Sequence, residues 1–238
     1  MTDFLVSYPR SGNSWLRYCV EYLTGQPTTS LVVNKAEQNN IPKTDSIGFG
    51  VIKHLDINKP AVLVKRHHFY CTWEDGIKYV CNCNLCQYRL NNTDRMLLLV
   101  RDYREAVFRH IMPQMGPDMK DQHMIDNLNR YMDVLYVYDK FGGSKTIVYY
   151  EDLISNPIGE LSKLCNFFIF DLTRLQELAN NLESHKAISL TKYGDSKTGG
   201  DKKRFHYSNV DKRLLNLLMD TAKNKHKEIV GKYLQRYK

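Results

Sequence analysis

The segment SYPRSGNSW, residues 7–15, combines a strand end, a glycine turn and a helix start with side chains that bind anions. An apolar run precedes it, and a helical stripe of apolar residues follows it as far as Gly25. At such a junction the backbone N–H groups of the turn and the helix dipole both favour a bound phosphate. Arg10 adds a fixed positive charge and Ser14 adds a hydroxyl donor. The segment therefore predicts a phosphate-binding loop.

This loop differs from the standard loop of ATP- and GTP-binding proteins. The Walker A pattern requires G-x-x-x-x-G-K-[ST], whereas the segment has one glycine and no Gly-Lys pair. The loop is therefore P-loop-like without the signature of an NTPase. Taken alone, the same residues also fit an ordinary strand–turn–helix junction with a capping serine. Other segments of the chain are needed to choose between this junction and a phosphate-binding loop.

Apolar runs and amphipathic segments alternate along the chain. A weak strand signal lies near Phe49–Ile52, and the clear strand signals are Phe4–Ser7, Ala61–Lys65, Met96–Val100 and Thr146–Tyr149. The alternation predicts an α/β fold with a P-loop-like central parallel β-sheet and helices on both faces. Ligands bind such sheets at the carboxyl ends of the strands, so the loops after the four clear strands should share one rim.

The length of 238 residues predicts a single domain, residues 1–238, with a Cys-rich insertion at about 70–93 and a basic C-terminal segment, 186–238. That segment contains 14 Lys and Arg against 5 Asp and Glu, whereas the rest of the chain carries 20 against 21. A basic segment on a nearly neutral body predicts an anionic partner. A solvated helix face nevertheless accounts for most of these lysines, and charge alone does not separate a nucleotide from a nucleic acid.

Four of the six cysteines are clustered in the insertion. The N-terminus lacks a basic region followed by an apolar stretch, and no apolar run is long enough to span a membrane, which predicts a cytoplasmic protein. In that setting clustered cysteines bind metal more often than they form disulfides. Their spacing is not that of a standard zinc finger, so reduced thiols are the favoured prediction. The alternative is a structural zinc site at Cys71, Cys81, Cys83 and Cys86.

Five segments, in order along the chain, resemble those of sulfotransferases that use 3′-phosphoadenosine 5′-phosphosulfate (PAPS). SYPRSGNSW is similar to the family's 5′-phosphosulfate loop, YPKSGTTW, and LLLVRDYREAVFRH to its 3′-phosphate segment. IVYYEDLISNP resembles the family's strand ending in YEDL, and AVLVKRHHF lies where the family has a strand running into K-T-H. SKTGGDKKRF loosely resembles the late Gly-rich basic loop, K-G-x-x-G-D-W-K. The resemblance implies sulfuryl transfer from PAPS to a hydroxyl or amine, with PAP as the product.

The resemblance also implies which residues contact the nucleotide. Arg10 stands in place of the family lysine at the 5′-phosphate, and Trp15 matches the tryptophan that packs on adenine. Arg101 matches the arginine that grips the 3′-phosphate, whereas Arg109 replaces the family's serine and is expected to make a charge-assisted contact. The remaining implied contacts come from the first loop and from the late basic loop, namely Ser11, Gly12, Asn13, Ser14, Lys197, Gly199, Lys202 and Lys203.

For catalysis the resemblance implies Arg10, Lys65 and His67, with no catalytic metal. His67 occupies the position of the family's general base, and His68 takes that role if the strand register differs by one residue. Histidine suits the task because its ordinary pKa lies near neutrality. Arg10 would stabilise charge that develops on the leaving oxygen.

Two other classes of function remain as alternatives. A nucleotide kinase or other NTPase would need the missing Gly-Lys pair, although Asp102 is a partial candidate for a magnesium ligand. A nucleic-acid-binding protein could use the basic segment, but its aromatic residues are scattered and no nucleic-acid motif is present. We expect a small-molecule acceptor, with a carbohydrate or peptide left open. The family's dimer motif is not recognisable, and the oligomeric state is left open as well.

Overall fold

A five-stranded parallel β-sheet forms the centre of the fold in the computed structural model. The structure describes residues 3–30, 46–66, 72–74, 78–80, 93–115, 120–189 and 210–237. In chain order the strands are β1 (Asp3–Ser7), β2 (Thr28–Ser30), β3 (Leu63–Arg66), β4 (Thr72–Glu74), β5 (Lys78–Val80), β6 (Arg95–Val100) and β7 (Ser144–Tyr149). β4 and β5 form a separate antiparallel pair, and the other five strands make up the sheet.

The helices fall between and after these strands. They are α1 (Asn13–Thr24), α2 (Tyr103–Met115), α3 (Asp121–Lys140), α4 (Tyr150–Ser155), α5 (Pro157–Phe168), α6 (Leu175–Asn180), α7 (residues 182–189), α8 (Lys212–Lys225) and α9 (Lys227–Tyr233), followed by a 3₁₀ turn at Gln235–Tyr237. No helix within these described ranges is long and apolar enough to cross a membrane.

The strand order places a crevice between β1 and β6. The spatial order is β2-β3-β1-β6-β7, so the chain leaves β1 toward one edge of the sheet and leaves β6 toward the other. Ser7 pairs with Leu99, which brings the carboxyl ends of the two strands to the same level. Ligands bind where the direction of the connections reverses in this way. The loop after β1 and the residues after β6 therefore flank the expected binding site.

Both faces of the sheet are covered by helices. Phe4, Val6 and Leu98 belong to a core that contains side chains of α2, α3, α8 and α9. Leu5 and Leu97 belong to the opposite core, with side chains of α1, α5 and α6. Neighbouring strand residues thus point to opposite faces of the sheet. Each fully buried side chain of this size contributes roughly 1.5–3 kcal/mol to the free energy of unfolding. The predicted fold class, a central parallel sheet with helices on both faces, is confirmed.

The four clear predicted strands agree with the structure to within one or two residues, whereas the short strands β4 and β5 in the Cys-rich insertion were not predicted. The expected strand near Phe49–Ile52 is wrong, because residues 47–51 form turns and Gly50 has a left-handed φ of 80°. β2 was not predicted, because its sequence Thr-Thr-Ser carries no apolar pattern. It lies at the edge of the sheet and pairs with β3 alone.

A buried carboxylate attaches the segment after residue 45 to α1. Glu21 is fully buried and accepts hydrogen bonds from the backbone N–H groups of Thr28 (2.9 Å), Ile47 (3.1 Å) and Gly48 (2.5 Å). It also accepts from the hydroxyls of Thr28 and Ser46. A buried charge is tolerated only when it is well hydrogen-bonded, and these five donors supply that compensation. Glu21 therefore fixes β2 and residues 46–48 beside α1, the helix that follows the loop after β1.

The basic C-terminal segment is held to the body of the protein by ion pairs. Arg213 of α8 pairs with Asp121 at 2.8 Å, and Lys232 of α9 pairs with Asp139, both aspartates belonging to α3. Arg236 donates through both Nη atoms to Asp152 of α4, at 2.6 and 2.7 Å. In the described part of the segment, these three cations are thus engaged within the fold. This weakens the nucleic-acid interpretation, which needs such charges for an external partner.

Two of the six cysteines lie in the described part of the chain. Cys19 and Cys165 are reduced and buried in the core, and burial raises the pKa of both thiols, that of Cys165 to about 11. Cys71, Cys81, Cys83 and Cys86 lie outside the described residues, so the zinc alternative stays a prediction. Among the described residues no group of three or more His, Cys, Asp and Glu is placed to hold a metal ion.

Asp133 on α3 is a partly buried carboxylate whose ionisation opposes folding. Burial raises its pKa from 3.8 to about 6, and the charges of Lys225 and Arg130 oppose that shift only in part. Because the folded-state pKa lies above the unfolded value, the stabilising contribution of this group is fully present below pH about 4. It is lost as the pH rises through about 6, so ionised Asp133 lowers the free energy of unfolding at neutral pH.

Asp133→Asn is therefore expected to raise the free energy of unfolding at pH 7.5 by about 1–2 kcal/mol, since the amide has no charge to desolvate. The gain should vanish at pH 4 and is measured by urea unfolding at both pH values. Asp126→Asn on the same helix is the control. A gain of equal size at both pH values would show that desolvation of the carboxylate is not the cause.

Candidate active site

The loop from Tyr8 to Gly12 joins β1 to α1 and has an unusual backbone. Arg10 has a φ of 67° and Gly12 a φ of 94°, both in the left-handed region. For a residue with a Cβ this conformation costs about 1–2 kcal/mol, and such outliers cluster at functional sites. A left-handed residue in a turn of this kind brings successive N–H groups to one side, as in anion-binding nests. The loop therefore has the backbone shape of an anion cradle.

The polar groups at the base of the loop leave donors for a ligand. Ser7 donates through Oγ to Asn13 Oδ1 at 2.5 Å, which fixes the amide of Asn13 against the strand end. Ser11 is 0% exposed, and its hydroxyl has no hydrogen-bond partner among the described residues. The N-cap of α1 is Gly12, which has no side chain to cap the helix, and the first N–H groups of the helix have no intrahelical partner. A buried hydroxyl beside an uncapped helix start is the donor set that an anion would satisfy.

The ring of Tyr150, the first residue of α4, packs directly on the loop. A Cβ built on Gly12 would lie 2.3 Å from Cδ2 and 2.5 Å from Cε2 of Tyr150. Real Cβ atoms do not approach a ring so closely, so only glycine fits at position 12. The ring of Tyr150 thus closes one side of the loop after β1, and this residue, which directly follows β7, brings the end of that strand to the loop.

Arg101, directly after β6, connects the loop to its surroundings. Its guanidinium lies over the ring of Tyr150 at 4.4 Å, and its Nη1 donates to the carbonyl of Arg10 at 3.2 Å. Burial lowers the pKa of Arg101, and the neighbouring charge of Arg109 lowers it further. The guanidinium therefore sits in a partly desolvated place, where its contacts with an anion are stronger than in water.

Arg101 and Arg109 converge on one carboxylate. Arg109 donates through Nε to Glu105 Oε1 at 2.6 Å, and Arg101 Nη2 lies 3.6 Å from the same oxygen. The three residues are spaced four apart, so Glu105 and Arg109 lie on one face of α2 and Arg101 precedes it. The two arginines that the family resemblance assigns to a 3′-phosphate are thus brought together at Glu105, and Arg101 also contacts the loop.

The carboxylates of the YEDL segment hold the C-terminal turn. Glu151 accepts from the backbone N–H of Asp102 at 3.1 Å and from the hydroxyl of Tyr237 at 2.5 Å. The hydrogen bond from Arg236 lowers the pKa of Asp152. Burial, together with Glu151, raises the pKa of Tyr237. Both carboxylates therefore have structural partners within the fold.

The other predicted contacts differ in how they are placed. Trp15 is 7% exposed and stacks on Tyr18 with ring centroids 6.0 Å apart, so its ring lies in the core. Its Nε1 has no partner among the described residues. Ser14 is partly exposed in the first turn of α1, and Lys65 lies in β3 opposite Leu5 of β1. His67, His68, Lys197, Gly199, Lys202 and Lys203 lie outside the described residues, so their roles stay predictions.

Two residues that organise the site were not predicted from the sequence. Tyr150 precedes the two carboxylates of the YEDL segment, and its contact with Gly12 joins residues far apart in the chain, which leaves no local signal. Glu105 does carry a signal, since an acid four residues from an arginine on each side is the standard spacing of helical ion pairs.

Gly12→Ala is expected to lower the free energy of unfolding by about 2–4 kcal/mol, because the new methyl group meets the ring of Tyr150 at a left-handed residue. Gly231→Ala is the control, since a Cβ there meets nothing within 4 Å and alanine is the better helix former. Thermal unfolding of both variants measures the effect. Equal stability of the Gly12 variant and the wild type would show that the ring does not constrain the loop.

The comparisons with known proteins agree with this architecture. No protein-family profile and no curated protein matches the chain. Among solved structures, the chain is similar to the sulfotransferase domain of the Synechococcus PCC 7002 olefin synthase, with a TM-score of 0.53 and 14% identity. That similarity covers 93% of this chain and 94% of the other.

Two further solved structures are similar at lower TM-scores. A mouse sulfotransferase, SULT7A1, complexed with PAP, has a TM-score of 0.45 at 14% identity over 99% of this chain and 87% of its own. A sulfotransferase domain from the curacin biosynthetic pathway has a TM-score of 0.43 at 15% identity, over 86% of this chain and 79% of its own. At 14% identity, the similarity to the olefin synthase domain shows the fold alone. The chain therefore has a sulfotransferase-like, P-loop-like α/β fold.

Proposed function

We propose that the protein is a sulfotransferase that takes PAPS as donor and a small molecule with a hydroxyl or amine as acceptor. One observation supports the proposal: the loop after β1 and a pair of arginines are joined by the hydrogen bond from Arg101 Nη1 to the carbonyl of Arg10 at 3.2 Å, and each offers donors to one anion. The first subsite is the loop with its buried Ser11 hydroxyl and the uncapped start of α1. The second is the pair Arg101 and Arg109. A nucleotide with a phosphate on both the 3′ and the 5′ oxygen matches two such subsites, whereas ATP carries phosphates at its 5′ end alone.

The described residues fit this nucleotide. Arg10, Ser11, Gly12, Asn13 and Ser14 would hold the 5′-phosphate through the loop N–H groups, the Ser11 hydroxyl and the charge of Arg10. Arg101 and Arg109 would hold the 3′-phosphate. Trp15 would pack on the adenine, as the family resemblance implies. The family resemblance adds Lys197, Gly199, Lys202 and Lys203, which lie outside the described residues, as further donors to the 3′-phosphate.

Sulfuryl transfer from PAPS would require stabilisation of the leaving group and removal of a proton from the acceptor. Bound PAPS would supply a sulfuryl group whose departure leaves negative charge on the bridging oxygen of the nucleotide. Arg10 and the loop N–H groups would stabilise that charge, which is the main way a protein accelerates such a displacement. Lys65 in β3 and His67 directly after β3 would act on the acceptor side. His67 would take the proton of the acceptor, or His68 would if the register differs by one residue.

The contacts of Asp102 argue against the NTPase alternative. Asp102, the candidate magnesium ligand, is engaged by Arg104, which donates from Nη2 to Asp102 Oδ2 at 2.6 Å and from Nε to Asp102 Oδ1 at 2.9 Å. A carboxylate held by a guanidinium has its charge compensated and does not attract a cation as an isolated carboxylate would.

The proposal predicts a preference for PAP over ATP and GTP in thermal unfolding. A ligand at one hundred times its Kd stabilises by about 2.7 kcal/mol, which for this size raises the midpoint by about 5–10 °C. Arg109→Ala should reduce the shift with PAP and leave that with 5′-AMP unchanged. Arg101→Ala should reduce both, because Arg101 also holds the carbonyl of Arg10. Arg213→Ala, far along the chain in α8, is the control. A larger shift with ATP or GTP would contradict the donor assignment.

Turnover tests the reaction itself. Conversion of PAPS to PAP should depend on an acceptor when phenols, alcohols and amines are supplied in turn. Substituting the general base by alanine should slow this conversion by about 10²–10⁴-fold without changing PAP affinity. His67→Ala and His68→Ala are compared side by side, and the slower variant identifies the base. If neither substitution slows the conversion, the proton acceptor lies elsewhere and the assigned mechanism is wrong.

A further inference from the structure

Glu105 is a nearly buried acid among the cations of the proposed 3′-phosphate subsite. It is 7% exposed, and its Oε1 contacts Arg109 Nε at 2.6 Å and Arg101 Nη2 at 3.6 Å. An acid in an anion-binding subsite lowers the positive charge there and by its charge alone weakens anion binding. A role of Glu105 is therefore to be sought in the contacts that it makes. Leaving two guanidinium groups close together without it would place like charges in a partly desolvated setting, which is costly.

The contacts show how each guanidinium is fixed. Arg109 donates through Nε, the donor nearest its own backbone, so the bond to Glu105 sets the plane of the guanidinium and the direction of its two Nη groups. Arg101 is fixed on two further sides, by the ring of Tyr150 at 4.4 Å and by the carbonyl of Arg10 at 3.2 Å. Glu105 is therefore the group that holds the more exposed arginine in register with the better anchored one.

We propose that Glu105 is a positioning residue that fixes the orientation of Arg109 and its spacing from Arg101, and thereby selects nucleotides with a 3′-phosphate over those with a 3′-hydroxyl. The inference rests on the proposed function. Two guanidinium forks held at a fixed spacing recognise a phosphate through paired N–H donors, whereas mobile side chains lose conformational entropy on binding. A 3′-hydroxyl gains nothing from this arrangement.

The experiment compares the Kd values of PAP and 5′-AMP by calorimetry in the wild type and in Glu105→Gln. The substitution should weaken PAP about tenfold, in the range of coupling between contacting groups, and should leave 5′-AMP within about twofold. Glu160→Gln is the matched control, because Glu160 is a similarly buried helical acid that pairs with Lys163 on α5. It should not change the ratio of the two Kd values. A ratio unchanged or increased in Glu105→Gln would overturn the inference.

A double-mutant cycle separates positioning from a general loss of folding. In an Arg109→Ala background, Glu105→Gln should have little further effect on the ratio, since the group it positions is gone. Additive losses would overturn the inference. Arg109→Lys gives a second test at a side chain that is 29% exposed, where folding tolerates change. It keeps the charge but lacks the Nε contact and the fork, so the preference for PAP should fall, and an unchanged preference would overturn the inference.

The same data distinguish failure of this inference from failure of the proposed function. If wild-type protein does not prefer PAP over 5′-AMP, the two-phosphate site itself is wrong, and the inference falls with it. If the wild type prefers PAP and Arg101→Ala abolishes the preference, the site stands. A Glu105→Gln variant that retains the preference then contradicts only the positioning role of Glu105.

Discussion

The site depends on one close contact, that between the Tyr150 ring and the backbone of Gly12. The ring occupies the space where any other residue would carry a Cβ, and its face supports the guanidinium of Arg101 at 4.4 Å. Through this contact the ends of β1, β6 and β7 meet at one point. Because Arg101 also binds the carbonyl of Arg10, the left-handed conformation of that residue is held from outside the loop.

The remaining interactions keep that contact in place. Glu151, next to Tyr150, accepts from Asp102 and from Tyr237, and Asp152 binds Arg236, so the C-terminal turn stabilises the start of α4. Asp102 directly follows Arg101, so the hydrogen bond from the Asp102 N–H to Glu151 also positions the end of β6. Arg236 belongs to the basic C-terminal segment, for which the sequence predicts an anionic partner, and in the structure its charge binds Asp152 within the fold. The side chains of Arg101 and Arg109 are partly buried, and partial burial would strengthen their contacts with an anion.

Much of this could be predicted from the sequence, for identifiable reasons. β1 and β6 are buried on both faces and therefore appear as continuous apolar runs, and the glycine and arginine of the loop mark an anion cradle. β2 could not be predicted, because its polar residues form a strand only by pairing with β3. The prediction of a strand near Phe49–Ile52 was wrong because Gly50 turns the chain and Glu21 accepts a hydrogen bond from the backbone N–H of Gly48 in this turn. Tyr150 could not be found because its partner is distant in sequence.

The most direct test of the two phosphate subsites is a crystal structure of the protein with PAP. We expect the 5′-phosphate to accept hydrogen bonds from the backbone N–H groups of the loop and the start of α1. We also expect the 3′-phosphate to lie about 2.7–3.2 Å from donors of both Arg101 and Arg109. A 3′-phosphate that contacts neither arginine, or a 5′-phosphate bound away from the loop, would contradict the assignment of the two subsites.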